Sequence, residues 1–322
     1  MRLAEVTRPQ GRRHLHIKYS SSGEEKNRLT AELFTACLRG CTPVLVPDGG
    51  MSEDKNRENR RSVRTNMIDL HCHILPGLDD GPKTMEESVE MANAAIADGT
   101  THLVATPHSN STHFFDYPKI RALCKELQAE VGGRLKLATG CDFHVNPENI
   151  AALKLQAPRF CVNQKDYLLV EFNEIAIPPA MDQTLHEMQL AGLRPIVTHP
   201  ERNRLLRLRP ERLITWMRHG CYGQVTAGSL TGRFGAAAQK DAMRWIEAGL
   251  IHFVCSDAHN TGSRPVQLRP AFEEVKKEFG EEKARALFID NPKAAFEGRD
   301  LPHVPELEDE RVQSPRKRFL FF

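Results

Sequence analysis

The chain has 322 residues, of which 40% are hydrophobic and 27% are charged, and its formal net charge is +2. These values are typical of a soluble globular protein with a sizeable core, and a charge so close to neutral argues against a nucleic-acid-binding protein. No apolar run approaches the length of a membrane span, and no N-terminal block has the charged start, apolar centre and small-residue cleavage site of a secretion signal.

The first 66 residues differ in composition from the rest of the chain. They are polar and net basic, and only residues 29–38 have a pattern that could form a short helix. Such a segment cannot bury enough apolar surface to offset the entropy lost on ordering. We therefore expect residues 1–66 to be a disordered extension. The alternative is that Met67 is the natural start and that the preceding segment is an over-extended reading frame.

A short buried strand is predicted at residues 67–70, and it ends in His71 and His73. Side chains two positions apart in an extended chain lie on the same face. The two imidazoles can therefore bind one metal ion, each through one ring nitrogen. A turn that contains proline and glycine follows, and it carries two carboxylates, Asp79 and Asp80, back towards the same end of the strand.

A regular alternation of strands and helices continues from there. A capping box at Thr84 begins the first helix, and Gly99 ends it. Further strands are predicted at residues 101–106, 135–139, 167–170, 194–198, 222–226 and 251–255. Further helices are predicted at residues 117–131, 178–190 and 236–248, with two more up to about residue 291.

The predicted strands are nearly continuous apolar runs separated by helices, which is typical of a parallel sheet covered on both faces. We therefore predict the α/β class. Seven such units in about 225 residues favour a distorted (β/α)7 barrel, close to the TIM type but one unit short, with its active site at the C-terminal ends of the strands. An open, doubly wound sheet is the alternative.

The end of the chain changes character again. Residues 303–322 are charged, contain prolines and finish in a basic and aromatic run. One interpretation is a flexible terminus, and the other is a segment that docks on a partner or on a membrane surface. The folded domain is accordingly expected to occupy residues 67–302.

The chain has eight cysteines, and none forms a C-x-x-C pair. Several lie within apolar runs that resemble strands, so we expect buried free thiols in a reducing cytoplasm. No cysteine is followed six positions later by arginine. Cysteine-dependent phosphatases need that spacing to hold a phosphate over the thiolate, so their chemistry is disfavoured.

Histidines and carboxylates gather at or just past the C-terminal ends of the predicted strands. In a parallel barrel these ends lie on one face, where active sites are built. Histidines with purely structural roles would not follow this rule. The nine candidate metal ligands are His71, His73, Asp80, His108, Asp142, Glu171, His199, Asp257 and His259.

Nitrogen and oxygen ligands without a thiolate point to manganese, iron, zinc or magnesium. One ion cannot use nine ligands, so we expect two or three clustered ions per chain, bridged by a carboxylate. Such clusters generate a hydroxide near neutral pH and stabilise in-line displacement at phosphorus. Arg202 and Arg264 follow two of the ligand motifs, and guanidinium groups match phosphate oxygens. The residues therefore predict phosphoester hydrolysis.

Five motifs of the chain resemble those of the PHP superfamily. Within it they are similar to the bacterial metal-dependent protein-tyrosine phosphatases of capsule and exopolysaccharide operons, the CpsB/CapC/YwqE type. The similarity spans about residues 67–302, nearly the whole length of that family. The motifs are Met-Ile-Asp-Leu-His-Cys-His-Ile-Leu-Pro-Gly-Leu-Asp-Asp-Gly from Met67, Ala-Thr-Pro-His from Ala105, Leu-Val-Glu-Phe from Leu169, Thr-His-Pro-Glu-Arg from Thr198 and Ser-Asp-Ala-His from Ser256.

The resemblance implies a site for three metal ions, with phosphate bound by Arg202 and Arg264. The implied ligand sets are His71, His73, Asp142 and Asp257 for the first ion, Asp142, Glu171 and His199 for the second, and Asp80, His108 and His259 for the third. The chain departs from the family at two positions. The bridging glutamate of the family is Asp142 here, one methylene shorter, and Ser109 stands where the family often has another histidine.

The resemblance also implies the reaction. An enzyme of this type is a phosphoric monoester hydrolase that removes phosphate from tyrosine in proteins through a metal-activated hydroxide, with manganese as the first choice of ion. Catalysis would depend on Arg202 and Arg264 at the phosphate and on His199 and Asp80 at the ions. The expected substrate is the tyrosine-rich tail of a kinase that controls polysaccharide export, and the enzyme itself is expected in the cytoplasm.

Two alternative functions stay open at this point. One is another PHP phosphoesterase, such as a histidinol-phosphate phosphatase or a nuclease-like domain. The other is a non-catalytic, metal-binding partner of the kinase.

Other side chains near these motifs are interpreted as parts of the fold. Three histidines on predicted strand or helix faces are expected to be structural: His102, His186 and His252. Two that flank ligand motifs, His113 and His144, are open between a structural role and a supporting role beside a metal ligand. Three aromatic residues are expected in the core rather than at a substrate: Tyr167, Phe172 and Phe234.

Overall fold

The structure is a computed structural model that describes residues 5–6, 14–19, 42–47, 65–173 and 175–308. The chain divides into two units, Met1–Arg64 and Thr65–Phe322. The predicted metal ligands all belong to the second unit.

The described part of the first unit consists of short strands. Strand β1 (Glu5–Val6) pairs antiparallel with β2 (His14–Tyr19), which pairs in parallel with β3 (Thr42–Pro47). The sequence did not predict these strands, and the helix considered at residues 29–38 lies outside the described residues. That residues 1–66 are a disordered extension or an over-extended reading frame stays a prediction.

The second unit alternates strands and helices, as predicted. Its strands are β4 (Met67–Cys72), β5 (Thr100–Ala105), β6 (His108–Ser109), β7 (Lys136–Thr139), β8 (Asp142–His144), β9 (Tyr167–Glu171), β10 (Arg194–Thr198), β11 (Tyr222–Thr226) and β12 (Phe253–Cys255). Its helices are α1 (Met85–Asp98), α2 (Tyr117–Val131), α3 (Pro147–Gln156), α4 (Met181–Leu190), α5 (Arg204–Leu208), α6 (Pro210–Arg218), α7 (Ala227–Leu230), α8 (Ala236–Glu247), α9 (Arg269–Phe279), α10 (Glu281–Arg285) and α11 (Asn291–Glu297).

The sequence prediction found the long elements and missed short ones. Helices α3, α5, α6 and α7 were not predicted, and they have only 10, 5, 9 and 4 residues. The 5 and 4 residues of α5 and α7 contain too few turns for an apolar repeat to be recognised. Strands β6 and β8 were missed for the same reason, with two and three residues each.

The strands of the second unit form two parallel sheets. The smaller sheet has the order β4-β5-β7, and the larger has the order β12-β11-β10-β9-β8-β6. Every paired strand in these two sheets runs parallel to its neighbour. The predicted α/β class with parallel sheets is therefore confirmed.

The chain passes between the two sheets at short breaks in two strands. Two residues separate β5 from β6, and two others, Gly140 and Cys141, separate β7 from β8. A side chain at Gly140 would lie 3.0 Å from Val104 Cγ1 and 3.2 Å from Thr106 Cγ2, so this close approach of the backbone favours glycine. At the opposite edges of the two sheets, an isolated parallel bridge joins Cys72, the last residue of β4, to Ala258, which follows β12.

The first helix begins and ends as the sequence predicts. The Thr84 hydroxyl accepts a hydrogen bond from the backbone N–H of Glu87 at 3.3 Å, and Gly99 ends the helix in the left-handed conformation with φ of 102°. Thr84 therefore caps one of the N–H groups that a helix leaves unpaired, and glycine adopts the positive φ without a steric penalty.

The core of the second unit contains most of the predicted apolar strand residues. β4 is buried along its whole length, and Tyr167 and Phe172 are buried as expected. Phe234, which was also expected in the core, is instead partly exposed. Among the described residues, no helix combines the length and the apolar character needed to cross a membrane.

Candidate metal centre

The predicted ligands converge at the C-terminal ends of the parallel strands. Four overlapping groups of side chains each offer ligand atoms that lie within 4.8 Å of one another. Together the groups contain all nine predicted ligands and one further residue, His144. The groups are His73, Asp80, His108 and His259; His108, Asp142, His144 and Glu171; His71, Asp142 and His199; and His71, His73 and Asp257.

Strand β4 presents His71 and His73 on the same face, and a neighbour orients each ring. Gln224 Oε1 lies 3.1 Å from His71 Nδ1, and Asp79 Oδ2 lies 2.7 Å from His73 Nδ1. Each ring therefore points its other nitrogen, Nε2, to the centre, where the two Nε2 atoms are 3.3 Å apart. Acceptors of this kind fix the orientation of imidazoles that bind metals.

The turn after β4 brings Asp79 and Asp80 to the centre with different roles. Asp79 is buried and also accepts hydrogen bonds from the backbone N–H groups of Gly81 at 2.9 Å and His108 at 3.0 Å. Asp80 instead places Oδ1 3.1 Å from His259 Nε2 and 3.5 Å from His108 Nε2. Asp80 thus joins the groups of ligands, whereas Asp79 supports them, a role that the sequence prediction did not assign.

Glycine at position 81 allows this turn to lie against the strand. A Cβ on Gly81 would lie 2.5 Å from the backbone oxygen of His73 and 3.0 Å from Asp79 Oδ1. Real Cβ atoms do not approach a backbone oxygen so closely, so a larger residue would push Asp79 away from His73.

Asp142 lies in the middle of the groups and is fully buried. Its Oδ2 atom is 3.2 Å from His108 Nδ1, 3.5 Å from His71 Nε2 and 3.9 Å from His73 Nε2. Burial alone would raise the pKa of Asp142, but the neighbouring imidazoles of His71 and His108 outweigh burial and lower the pKa well below its usual value. The carboxylate is therefore anionic and available to bridge cations.

The same contacts act on the two imidazoles. Burial lowers the pKa of His71 and of His108, but the carboxylates around them have the larger effect and raise both pKa values to about 9. For His71 these carboxylates are Asp142 and Asp257, and for His108 the first is Asp142. Without cations, protons therefore compensate the negative charge of the centre.

Glu171 and His199 complete the far side of the centre. Glu171 Oε1 lies 3.5 Å from His199 Nε2, and Oε2 contacts His144 Nε2. Burial and the neighbouring Asp142 raise the pKa of Glu171 to about 7. The implied set of Asp142, Glu171 and His199 is divided between two of the groups, because His199 is grouped with His71 and Asp142, and Glu171 with His108 and His144.

Two residues of the centre have a backbone conformation that side chains rarely adopt. His199 follows β10 with φ of 31°, and Asp257 follows β12 with φ of 50°. Each such conformation costs about 1–3 kcal/mol. Strain of this kind is retained at functional sites, where the position of the side chain matters more than local stability.

Both predicted phosphate-binding arginines contact one carboxylate oxygen. Arg264 Nη2 donates a hydrogen bond to Asp257 Oδ2 at 2.6 Å, and Arg202 Nη1 contacts the same oxygen. The guanidinium carbon of Arg202 also lies 4.5 Å from the centre of the Phe234 ring. Burial alone would raise the pKa of Asp257. The charges of His71, which has the largest effect, and of the two arginines outweigh burial and hold the pKa well below its usual value.

Glu201 fixes the loop that carries His199 and Arg202. It is fully buried, and its Oε1 atom accepts hydrogen bonds from the Thr226 N–H at 2.9 Å and from the Ser229 hydroxyl at 2.6 Å. The loop after β10 is therefore tied to the end of β11. Glu201 belongs to none of the ligand groups found among the described residues, and the sequence prediction gave it no role.

Several donor atoms of the centre lack partners of the usual kind. Among the described residues, buried atoms without a hydrogen-bond partner include both carboxylate oxygens of Asp142, Glu171 Oε2, His108 Nδ1, His144 Nε2 and His259 Nε2. A buried polar atom that stays unsatisfied costs about 1–3 kcal/mol. Imidazole nitrogens and carboxylate oxygens crowded in this way fit divalent cations.

The other histidines lie apart from these groups. The rings of His113 and His108 are 5.9 Å apart, but His113 belongs to none of the groups found among the described residues. His102 packs against the edge of Phe296, and His252 is buried and accepts a hydrogen bond from the Gly223 N–H. His186 is exposed on α4.

Comparisons with known proteins agree with this geometry. Residues 67–297 match the family described as capsular polysaccharide synthesis, CpsB/CapC. Tyrosine-protein phosphatase YwqE from Bacillus subtilis (strain 168) is 37% identical over 227 residues, which are 67% of this chain and 86% of the relative. Tyrosine-protein phosphatase CpsB from Streptococcus pneumoniae is 29% identical over 238 residues, which are 70% of this chain and 97% of the relative.

Solved structures give the same relationship. A chain from the crystal structures of YwqE and CpsB, which are called metal-dependent tyrosine phosphatases, matches with a TM-score of 0.70 and 33% identity over 75% of this chain and 99% of its own. A phosphotriesterase homology protein from Escherichia coli shares the fold with a TM-score of 0.51 and 10% identity over 72% of this chain and 99% of its own.

Proposed function

The chain belongs to the CpsB/CapC family of capsular polysaccharide synthesis, and from that premise we propose that it is a metal-dependent protein-tyrosine phosphatase. One observation supports the proposal above others. Imidazoles and carboxylates from six different strands or the turns that follow them meet at one place, and several of their donor atoms are buried without hydrogen-bond partners among the described residues. Divalent cations would pair with these atoms and offset the cost of burying them.

We assign the nine predicted ligands to two or three divalent ions per chain. When bound, such ions lower the pKa of a coordinated water towards 7 and neutralise phosphoryl oxygens. Manganese is the proposed ion, with iron, zinc and magnesium as alternatives, because the set has nitrogen and oxygen donors and no thiolate. The proposed ligands are His71, His73, Asp80, His108, Asp142, Glu171, His199, Asp257 and His259.

Arg202 and Arg264 are the proposed phosphate-binding residues. Their guanidinium groups meet beside Asp257, at the edge of the ligand groups. Forked N–H donors in that position match the equatorial oxygens of a phosphoryl group. The leaving group of phosphotyrosine has a pKa of about 10, so it needs less protonation than an alkyl alcohol would.

The proposed substrate is a phosphotyrosine protein, and within that class a tyrosine kinase that regulates capsule or exopolysaccharide synthesis. The names of the relatives support the first part, and the family description supports the polysaccharide context. A cytoplasmic location fits the six cysteines that the structure describes, all of which are free and buried.

A finer architecture follows from the same premise. We propose that the two parallel sheets are parts of one distorted (β/α)7 barrel within a phosphatase domain of residues 67–302. The bridge from Cys72 to Ala258 supports closure, as do hydrogen bonds from the Asp257 N–H to the His71 oxygen at 2.9 Å and from the His73 N–H to the Ala258 oxygen at 2.8 Å. For the segment 303–322 both interpretations stay open, a flexible terminus and a docking segment, and residues 309–322 lie outside the described residues.

A substrate panel tests the proposed reaction. The full chain, loaded with Mn²⁺, would be assayed with a phosphotyrosine peptide, histidinol phosphate and an oligonucleotide. We expect the phosphotyrosine peptide to give the highest kcat/KM. Faster turnover of either of the other two substrates would indicate a different PHP phosphoesterase. Bound metal without hydrolysis of any substrate, including p-nitrophenyl phosphate, would indicate a non-catalytic partner of the kinase.

A further inference from the structure

The metal centre contains one histidine that is not among the nine predicted ligands. We propose that His144 is a tenth metal ligand, which binds one ion together with His108, Asp142 and Glu171. This inference rests on the metal centre proposed above, and it adds a residue that supplies a donor atom to the centre.

Strand register explains why these four side chains meet. In the larger sheet, His108 of β6 is paired with Asp142 of β8, and His144 of β8 is paired with Glu171 of β9. Residues two apart on a strand lie on the same face, so Asp142 and His144 both face the centre. Phe143 between them is fully buried in the core on the other face. Three adjacent strands therefore carry the four donors to one place.

Distances place the donor atoms around one position. His108 Nδ1 lies 3.2 Å from Asp142 Oδ2 and 3.4 Å from Glu171 Oε2. His144 Nε2 contacts the same oxygen of Glu171, and the rings of His108 and His144 are 5.3 Å apart. Two imidazole nitrogens and two carboxylates form a set of four that divalent transition metals accept.

The missing hydrogen bonds argue against a simple ion pair between His144 and Glu171. His144 Nε2 and Glu171 Oε2 contact each other without hydrogen-bond geometry, and both oxygens of the fully buried Asp142 have no hydrogen-bond partner among the described residues. An ion pair would satisfy His144 and Glu171 but would leave the Asp142 oxygens buried and unpaired. A cation satisfies all three residues at once.

His113 is a matched control for His144. Both histidines lie beside His108, with ring centres 5.9 Å and 5.3 Å from its ring. His113, however, belongs to none of the ligand groups in the described part of the chain. Replacement of His113 thus removes a neighbouring imidazole of the same chemistry without removing a proposed donor atom.

Metal titration of the full chain tests the inference. Wild type, His144→Ala and His113→Ala would be stripped with a chelator and titrated with Mn²⁺, with bound ions counted by elemental analysis and folding checked by circular dichroism. We expect His144→Ala to bind one ion fewer per chain, or to bind one ion at least about tenfold more weakly. His113→Ala should match wild type. If His144→Ala binds as many Mn²⁺ ions per chain as wild type, and with the same affinity, the inference is overturned.

A cysteine variant separates a ligand from a residue that only positions Glu171. With Co²⁺, His144→Cys should give a thiolate-to-cobalt charge-transfer absorption band, and His113→Cys should give none. Absence of the band in a folded, cobalt-loaded His144→Cys protein also overturns the inference. If wild type itself binds no metal, the proposed metal centre fails as a whole, and that outcome is distinct from failure of His144 alone.

Discussion

The carboxylate of Asp79 accepts a hydrogen bond from His73 Nδ1 at 2.7 Å. Because Nδ1 is engaged in this way, His73 Nε2 points into the metal centre. The attraction between the two residues also contributes to the pKa of Asp79, which lies well below its usual value despite the opposing effect of burial. Asp79 therefore acts on the centre through His73, without being a proposed ligand.

Asp79→Asn tests this positioning role. Asparagine keeps the shape of the side chain and an acceptor oxygen, but it removes the negative charge that makes the imidazole a stronger ligand. We expect the Kd for Mn²⁺ to rise about 10–100-fold, and activity to return when Mn²⁺ is added in excess. Asp300→Asn is the control, because Asp300 is 92% exposed and pairs with Arg194. Equal Mn²⁺ affinity in Asp79→Asn and wild type would exclude the role.

His199→Ala should separate activity from stability. The imidazole is a proposed ligand, so its loss should lower kcat/KM by more than about a hundredfold, beyond the range of residues that only orient ligands. The backbone there is already strained at φ of 31°, and alanine neither adds to nor removes that strain. We therefore expect the melting temperature of the metal-free protein to change by less than about 4 °C.

His186→Ala is the comparison for that experiment. His186 is exposed on α4, away from the ligand groups. Its replacement should leave both kcat/KM and the melting temperature at the wild-type values. A His199→Ala protein that retains wild-type kcat/KM would remove His199 from the proposed ligands.

Phe234 is expected to act through Arg202. Its ring centre lies 4.5 Å from the guanidinium carbon of Arg202, a contact worth about 0.5–1 kcal/mol at a partly exposed site. Phe234→Leu should keep the apolar volume, lose the contact and raise KM for a phosphotyrosine peptide about two- to fivefold, with kcat unchanged. The steady-state measurement should include Phe172→Leu, which alters a buried ring of the core. A fall in kcat with unchanged KM in Phe234→Leu contradicts the assignment.

The sequence predicted the convergence of the ligands better than their surroundings. The convergence of the nine predicted ligands could be inferred because each lies at or just past the C-terminal end of a predicted strand, and parallel strands end on one side of a sheet. Gln224 could not be found, because it orients His71 across 153 positions of the chain. Such a pair depends on which strands are neighbours, and sequence spacing does not give that information.

His144 is a different case, because the sequence around it did indicate a possible metal ligand. Asp142 and His144 have the same two-residue spacing as His71 and His73, which the prediction used only for the latter pair. The proposed barrel shows the opposite limit. The number of strand–helix units favoured a closed barrel, but the contact that supports closure, the bridge between Cys72 and Ala258, is one that local sequence patterns do not specify.

Metal uptake should depend on pH through His71 and His108. Their pKa values in the metal-free fold are raised to about 9 from 6.5, so both rings carry protons between those two pH values. A cation binds the neutral ring, so each proton must leave first. The apparent Mn²⁺ affinity should therefore increase as pH rises through this window and level off above about 9.

The same shifts predict an opposite trend for the metal-free protein. A histidine whose pKa is raised in the folded state contributes its full stabilisation below the pKa of the unfolded chain, 6.5. This stabilisation is lost as the pH rises through the folded pKa of about 9. The melting temperature of chelator-treated protein should fall across that window because the carboxylates of the centre lose their compensating protons. The Mn²⁺-loaded protein should lack this fall, since the ions supply the positive charge.

Calorimetry in two buffers with different protonation enthalpies would count the protons released on Mn²⁺ binding. Release of no proton at pH 7.5, together with a pH-independent affinity, would show that His71 and His108 are neutral before the metal binds.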